Sequence, residues 1–155
     1  SLHSTVYPLN ANRTIPALGR YPEDRYGPSP PYQPPLNSPT NHPADGVGLS
    51  HAHPWFLTTL SAAELLYRSS LLLSSSQVPL LITPLNRSFY ARFLPVQEGT
   101  TIRAGSRAMR KIVEGERSLA DGFVRVVQEF ASRNGSLHEQ FDRVSGEGRG
   151  ARDLT

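Results

Sequence analysis

The spacing of hydrophobic positions predicts helices, and the longest such stretch covers residues 106–132. Apolar side chains recur there at helical spacing: Met109, Ile112, Val113, Leu119, Phe123, Val126, Val127 and Phe130. The opposite face is charged: Arg107, Arg110, Glu114, Arg117, Arg125 and Glu129. Ser106 is placed to cap the first turn through its hydroxyl. The pattern therefore predicts one long amphipathic helix.

Two further apolar patterns predict helices near residues 54–73 and 84–94. The first contains Phe56, Leu60, Ala63, Leu66 and Tyr67 at helical spacing, followed by Leu71, Leu72, Leu73 and three serines. Pro54 suits its first position, because the N–H that proline lacks would have no partner there. In the second pattern, Thr83 and Pro84 predict a cap followed by a first-turn proline, and the short apolar face consists of Phe89, Tyr90, Phe93 and Leu94.

Proline and glycine mark the parts of the chain without a regular period. Prolines interrupt residues 1–26, and residues 27–52 hold seven Pro and three Gly. We interpret the second stretch as an inserted surface loop without regular structure. Near the other end, Gly146, Gly148 and Gly150 predict a loop, and Asp153 is the expected start of a further helix. No strand is predicted, so the fold class is all-α.

Composition bounds the size and the partners of the protein. The chain has 155 residues, 37% of them hydrophobic, which is enough for one modest domain. The net charge of +3 comes from scattered residues, and no aromatic-interleaved basic patch favours nucleic acid. No apolar run is long enough for a membrane span, and without cysteine there is no thiolate metal site. We expect no nucleic acid, no membrane, no metal and no cofactor.

Two polar clusters are candidates for chemistry. Glu139 lies between His138 and Gln140, just after the helix-stop signal Asn134–Gly135. It is either a catalytic or binding acid on a loop, or a solvated loop residue. Residues 19–26 combine two basic, two acidic and two aromatic side chains, which suit sugar binding but also a solvated charged turn. Trp55 is a sugar platform or a core residue.

Several stretches in chain order resemble the C-terminal part of the catalytic domain of fungal glucoamylases. They are GRYPED at 19–24, PWFL at 54–57, ADGFV at 120–124, NGSL with Glu139–Gln140 and Asp142 at 134–142, and ARDLT at 151–155. The resemblance implies that residues 1–155 are an incomplete segment of an (α/α)6 barrel, with the proline-rich insertion at 27–52. It also implies a secreted inverting hydrolase that releases glucose from the non-reducing ends of starch and maltooligosaccharides.

The same resemblance assigns residues to roles. Glu139 falls on the general base, and Arg20, Asp24, Trp55 and Gln140 fall on sugar-binding positions. In the family the general acid comes from a segment well upstream, so we expect the 155 residues alone to be inactive. Arg25–Tyr26 and the long insertion replace the family's link to the Pro-Trp motif, and two single positions also depart from the pattern. Phe141 stands where tyrosine is usual, and Gly150 stands where a serine that hydrogen-bonds the base is common.

Two alternatives remain open from the sequence. One is a non-catalytic helical module, derived from such a domain, that binds carbohydrate or another partner. The other is a related glycosidase with a different sugar. The hydrolase hypothesis predicts that Arg20, Asp24, Trp55 and Glu139 converge on one concavity.

Overall fold

Most of the regular structure is helical. The computed structural model describes residues 6–21, 24 and 53–152. Its helices are α1 Phe56–Ser75, α2 Arg87–Tyr90 and α3 Arg107–Phe130, and a short 3₁₀ turn covers Pro8–Asn10. Its strands are β1 Leu80–Leu81, β2 Thr101–Ile102, β3 His138–Phe141 and β4 Gly148–Arg152. The predicted loop at 27–52 and the predicted helix start at Asp153 lie outside the described residues.

Helix α3 confirms the strongest sequence prediction. The Ser106 hydroxyl accepts a hydrogen bond from the Met109 N–H at 3.1 Å, as a capping side chain does. Met109, Ile112, Val113, Ala120, Phe123, Val126 and Val127 are buried. All six charged residues predicted for the other face are exposed. The period of the apolar positions thus correctly predicted both the helix and its buried face.

Helix α1 confirms the first of the two shorter patterns, with shifted bounds. It begins after Trp55, whose carbonyl accepts hydrogen bonds from the N–H and the hydroxyl of Thr59. Pro54 therefore precedes the helix instead of occupying its first position. At the other end, the Ser74 and Ser75 hydroxyls donate back to the Leu71 carbonyl at 2.9 and 2.8 Å. Such local bonds compete with the next helical turn.

The predicted helix at 84–94 is wrong in length, because α2 has only four residues. The Asn86 side chain accepts from the Thr83 N–H and donates to the Leu81 carbonyl, which holds residues 81–86 in a turn. Beyond Tyr90, the N–H groups of Arg92 and Phe93 donate to carbonyls three residues back. The predicted apolar residues do pack in or against the core. Turns, however, stand on both sides of α2 where the prediction had helix.

Residues 62–122 form one compact unit, and the residues on either side of them in the chain form another. The core of the 62–122 unit consists of Ile82, Tyr90, Ile102, Met109 and Ile112. Its strands β1 and β2 are antiparallel, with Leu80 opposite Ile102. The core of the other unit consists of Ala17, Phe56, Val126, Val127 and Phe141, where the Phe56 and Phe141 rings stack at 3.9 Å between centroids.

The stretch predicted as a glycine-rich loop is instead a β-hairpin. Strand β3 pairs antiparallel with β4, so that Gln140 lies opposite Arg149 and Phe141 lies opposite Gly148. The register shifts between His138 and Gln140, which is a β-bulge. Glu139 therefore lies on a strand, not on a loop, and it lies within the irregular part of that strand.

Candidate active site

The start of α1 holds the segment that carries Arg20. The Leu18 carbonyl accepts from the Trp55 N–H at 2.8 Å, and the Leu18 N–H donates to the Thr59 hydroxyl at 3.0 Å. Further back, the Asn10 side chain accepts from the Ala17 N–H at 2.8 Å and donates to the Ala17 carbonyl at 2.9 Å. These pairs fix an otherwise irregular segment, so that Arg20 leaves it at a defined point.

Arg20 and Asp24 form a two-point ion pair. Arg20 Nε lies 2.8 Å from Asp24 Oδ2, and a terminal guanidinium nitrogen lies 2.7 Å from Oδ1. The Asp24 side chain is fully buried, whereas the Arg20 side chain keeps 34% of its surface exposed. The pairing matches the planar fork of a guanidinium to a carboxylate, which holds both groups in one geometry.

Trp55 and Tyr21 contact the same guanidinium. The Arg20 guanidinium carbon lies 4.8 Å from the Trp55 ring centroid and 5.6 Å from that of Tyr21. A cation at this distance is attracted by the electron-rich ring face. The structure thus brings two of the predicted site residues, Asp24 and Trp55, into direct contact with a third, Arg20.

The backbone of Trp55 joins this cluster to strand β3. Trp55 forms an antiparallel bridge with Gln140, and the Phe141 N–H donates to the Pro54 carbonyl at 2.9 Å. Gln140 is fully buried. Glu139, the residue before it, is partly exposed. The position of the Glu139 carboxylate relative to the Arg20 guanidinium stays a prediction.

The bulge places Gly150 directly against Glu139. Gly150 has φ +80°, and a Cβ added there would lie 2.7 Å from Glu139 Oε2. The positive φ and the close approach both favour glycine, because a side chain at this position would be strained and would touch the carboxylate. A bulge of this kind aims a neighbouring side chain, here the predicted base.

Sequence reasoning missed the charged group that closes the same hairpin. Asp142 is buried, and its carboxylate accepts from Arg149 Nε at 2.7 Å and from the N–H groups of Val144 and Ser145 at 2.9 Å each. Burial opposes ionisation, but these donors outweigh it and lower the pKa of Asp142 to about 2. An aspartate followed by polar and glycine residues is a turn signal that could have indicated this role.

Tyr7 and His53 are two further buried groups that sequence reasoning missed. Burial and the nearby Asp24 carboxylate raise the pKa of the Tyr7 hydroxyl. That hydroxyl lies against Gly19, where an added Cβ would be 1.7 Å away. Burial lowers the pKa of His53, whose Nδ1 accepts from the Arg143 N–H at 2.9 Å.

None of the helices in the described part of the chain has the length and the apolar character that a membrane span requires.

The chain belongs to the glycosyl hydrolases family 15, which it matches over residues 2–155. It is 34% identical over 149 residues to a probable glucoamylase of Schizosaccharomyces pombe, covering 96% of this chain and 27% of that protein. It is 30% identical over 166 residues to the intracellular sporulation-specific glucoamylase of Saccharomyces cerevisiae, covering 97% of this chain and 27% of that protein.

Solved structures of glucoamylases are also similar to this chain. The glucoamylase of Saccharomycopsis fibuligera matches with a TM-score of 0.78 and 26% identity, covering 99% of this chain and 30% of that one. The family 15 glucoamylase of Hypocrea jecorina matches with a TM-score of 0.71 and 26% identity, covering 97% and 22%. The predicted fold class is thereby confirmed, as a helical segment of an (α/α)6 barrel. The chain spans about a quarter of the length of these curated relatives.

Proposed function

We propose that the chain is part of an inverting hydrolase that releases glucose from the non-reducing ends of starch-type α-glucans. Glu139 is the general base, and Arg20, Asp24, Trp55 and Gln140 form the sugar-binding side of the site. The observation that supports this most is the direct backbone bridge between Trp55 and Gln140. It joins the guanidinium–aromatic cluster to the strand that carries Glu139.

The chemistry of an inverting glycosidase suits a partly exposed carboxylate such as Glu139, which lies beside the bulge of β4. One carboxylate takes a proton from water as that water attacks the anomeric carbon, while a carboxylic acid about 6.5–9.5 Å away protonates the leaving oxygen. Glu139 is partly exposed, so a water molecule can reach it. The acid partner is expected on a segment outside these 155 residues.

The sugar-binding roles divide according to exposure. The Arg20 side chain keeps 34% of its surface exposed, which suits contact with glucose hydroxyls, whereas the fully buried Asp24 carboxylate acts at the same subsite by fixing the guanidinium. Trp55 offers an apolar ring to the C–H face of a sugar. Gln140 is fully buried, so it contributes by holding the strand beside Trp55.

The test of the base is Glu139→Gln in the intact protein. Glutamine keeps the shape but cannot take a proton, so kcat for glucose release from maltose should fall by roughly 100- to 10,000-fold. Maltose affinity, measured by calorimetry, should change by less than roughly threefold, because a base acts mainly in the transition state. Glu147→Gln removes an exposed carboxylate from the same hairpin and is the matched control.

Three results would contradict the proposal. Near-normal turnover in Glu139→Gln would remove the base assignment. Sugar binding without hydrolysis by the unaltered intact protein would favour the non-catalytic module. Hydrolysis by residues 1–155 alone would show that the acid is not on another segment. We also propose secretion; one relative is named as intracellular, so fractionation of the native source decides this point.

A further inference from the structure

Asp142 organises the turn between β3 and β4 from both its side chain and its backbone. The carboxylate accepts from the Val144 and Ser145 N–H groups. The Asp142 carbonyl accepts from the Gly146 N–H at 2.9 Å, and the Asp142 N–H donates to the Glu147 carbonyl at 2.6 Å. Four hydrogen bonds of the turn therefore involve this one residue.

Arg149 connects Asp142 to β4, the strand that pairs with the strand of the predicted base. Its Nε donates to Asp142 Oδ2, and its backbone lies opposite Gln140 in the strand register. The next residue is Gly150, which abuts the Glu139 carboxylate. Because side chains alternate along a strand, a slip of one residue would turn Glu139 to the opposite face. The Asp142–Arg149 pair opposes such a slip.

The residue after Asp142 anchors the same turn to the rest of its unit. The Arg143 N–H donates to His53 Nδ1, and the Arg143 carbonyl accepts from the Leu9 N–H at 3.0 Å. The Arg143 guanidinium donates to the Val6 carbonyl at 2.6 Å. The turn is thus fixed at one end while the Asp142–Arg149 pair sets the register of the strands that leave it.

We propose that Asp142 is a positioning residue for the Glu139 carboxylate and acts through Arg149. This inference rests on the proposed function of Glu139 as general base. Asp142 is only 8% exposed, and its carboxylate is already occupied by Arg149 and the turn. Because the pKa of Asp142 is about 2, the group stays ionised above that pH and is not the missing proton donor.

The experiment compares Asp142→Asn with the unaltered intact protein. The amide cannot accept from Arg149 and the turn as the carboxylate does, so Glu139 should lose its alignment. A misplacement of this kind is expected to lower kcat for maltose roughly 10- to 100-fold. KM for maltose, which is uncharged, should change by less than roughly threefold. Turnover per site is calculated from the concentration of folded protein, so that any misfolded fraction is not counted.

A double-mutant comparison of Asp142 and Arg149 distinguishes a positioning role from a general loss of stability. Arg149→Gln should lower kcat per site to a similar extent, and the double variant should be no worse than either single variant, because both changes break one interaction. Arg149→Lys keeps the charge and should restore part of the turnover. Glu147→Gln, in the same turn, should leave kcat within roughly twofold of the unaltered protein. Circular dichroism at the assay temperature confirms that each variant is folded.

Two outcomes would overturn the inference while leaving Glu139 as the base. The first is a kcat per site in Asp142→Asn within roughly twofold of the unaltered protein. The second is additive losses in the double variant, which would mean that the two residues act separately. If the unaltered intact protein does not hydrolyse maltose at all, the proposed function itself fails, and the inference that rests on it falls with it.

Discussion

Glu116 offers a test of the electrostatics inside the 62–122 unit. It is fully buried on α3, and its Oε1 accepts from the Ser69 hydroxyl at 3.0 Å. Its Oε2 has no hydrogen-bond partner within the described part of the chain. Burial raises the pKa of Glu116, although the Ser69 hydrogen bond opposes the shift. The ionised form therefore destabilises the folded protein.

The sign of the pH dependence follows from that shift. The folded pKa lies above the unfolded value of about 4.3, so the stabilising effect is fully present below that value. It is lost as the pH rises through the folded pKa. A buried polar atom without a partner costs about 1–3 kcal/mol. Glutamine removes the charge but keeps an acceptor for Ser69 and buries a new N–H₂ group, so we expect a net gain of about 1 kcal/mol near neutral pH.

Thermal unfolding of Glu116→Gln measures this effect. For the 155-residue chain, about 1 kcal/mol corresponds to roughly 2–4 °C in Tm, as is usual for domains of about 150–250 residues. The increase should appear near pH 7 and vanish near pH 4, where the carboxyl of the unaltered protein has taken up its proton. Glu114→Gln, on the exposed face of the same helix, should change Tm little at either pH. A Tm for Glu116→Gln below that of the unaltered protein near pH 7 would refute the reasoning.

Three further predictions follow from packing, charge and exposure. Gly19→Ala should lower Tm and raise KM for maltose, because its Cβ would lie 1.7 Å from the Tyr7 hydroxyl in the segment that holds Arg20. Asp142→Asn should lower the free energy of unfolding in urea by about 2 kcal/mol near pH 7 and by little near pH 2, because a folded pKa of about 2 means that acid neutralises the carboxylate of the unaltered protein, whereas the amide carries no charge at either pH. Leu65→Gln with Leu72→Gln should raise the soluble yield of residues 1–155, because these side chains are 69% and 65% exposed.

Where the period was long, the sequence was sufficient to predict the helix. α3 has 24 residues, so its apolar and charged faces repeat over several turns, and Ser106 marks its start. The cue for α2 was weaker. Its apolar residues had helical spacing, but the Asn86 side chain bonds residues 81 and 83 instead of capping a long helix. Whether Asn86 caps a helix or closes a turn depends on which of its local hydrogen bonds is stronger. The spacing of apolar residues carries no information about that.

The strands could not be predicted from alternation. β1 and β2 have two residues each, and β3 has four, too few for a two-residue period to be distinguished from chance. Four glycines fall between residues 135 and 150, which suggested a loop. In the structure, Gly146 and Gly150 serve the turn and the bulge of a hairpin. The residues of the candidate site were predicted from the resemblance and stay a prediction, whereas the Asp142–Arg149 pair required the structure.

Two of the departures from the glucoamylase pattern, Phe141 and Gly150, lie on the hairpin that carries Glu139. Phe141 is fully buried, stacked on Phe56 and edge-on to Phe130 at 5.3 Å between centroids, so the phenylalanine serves the core without needing a partner for a hydroxyl. Gly150 holds a positive φ that would cost a serine about 1–2 kcal/mol, and any side chain there would meet the Glu139 carboxylate. In the proposed site, the backbone at Gly150 thus lies against the Glu139 carboxylate, where the resemblance implies a serine hydroxyl.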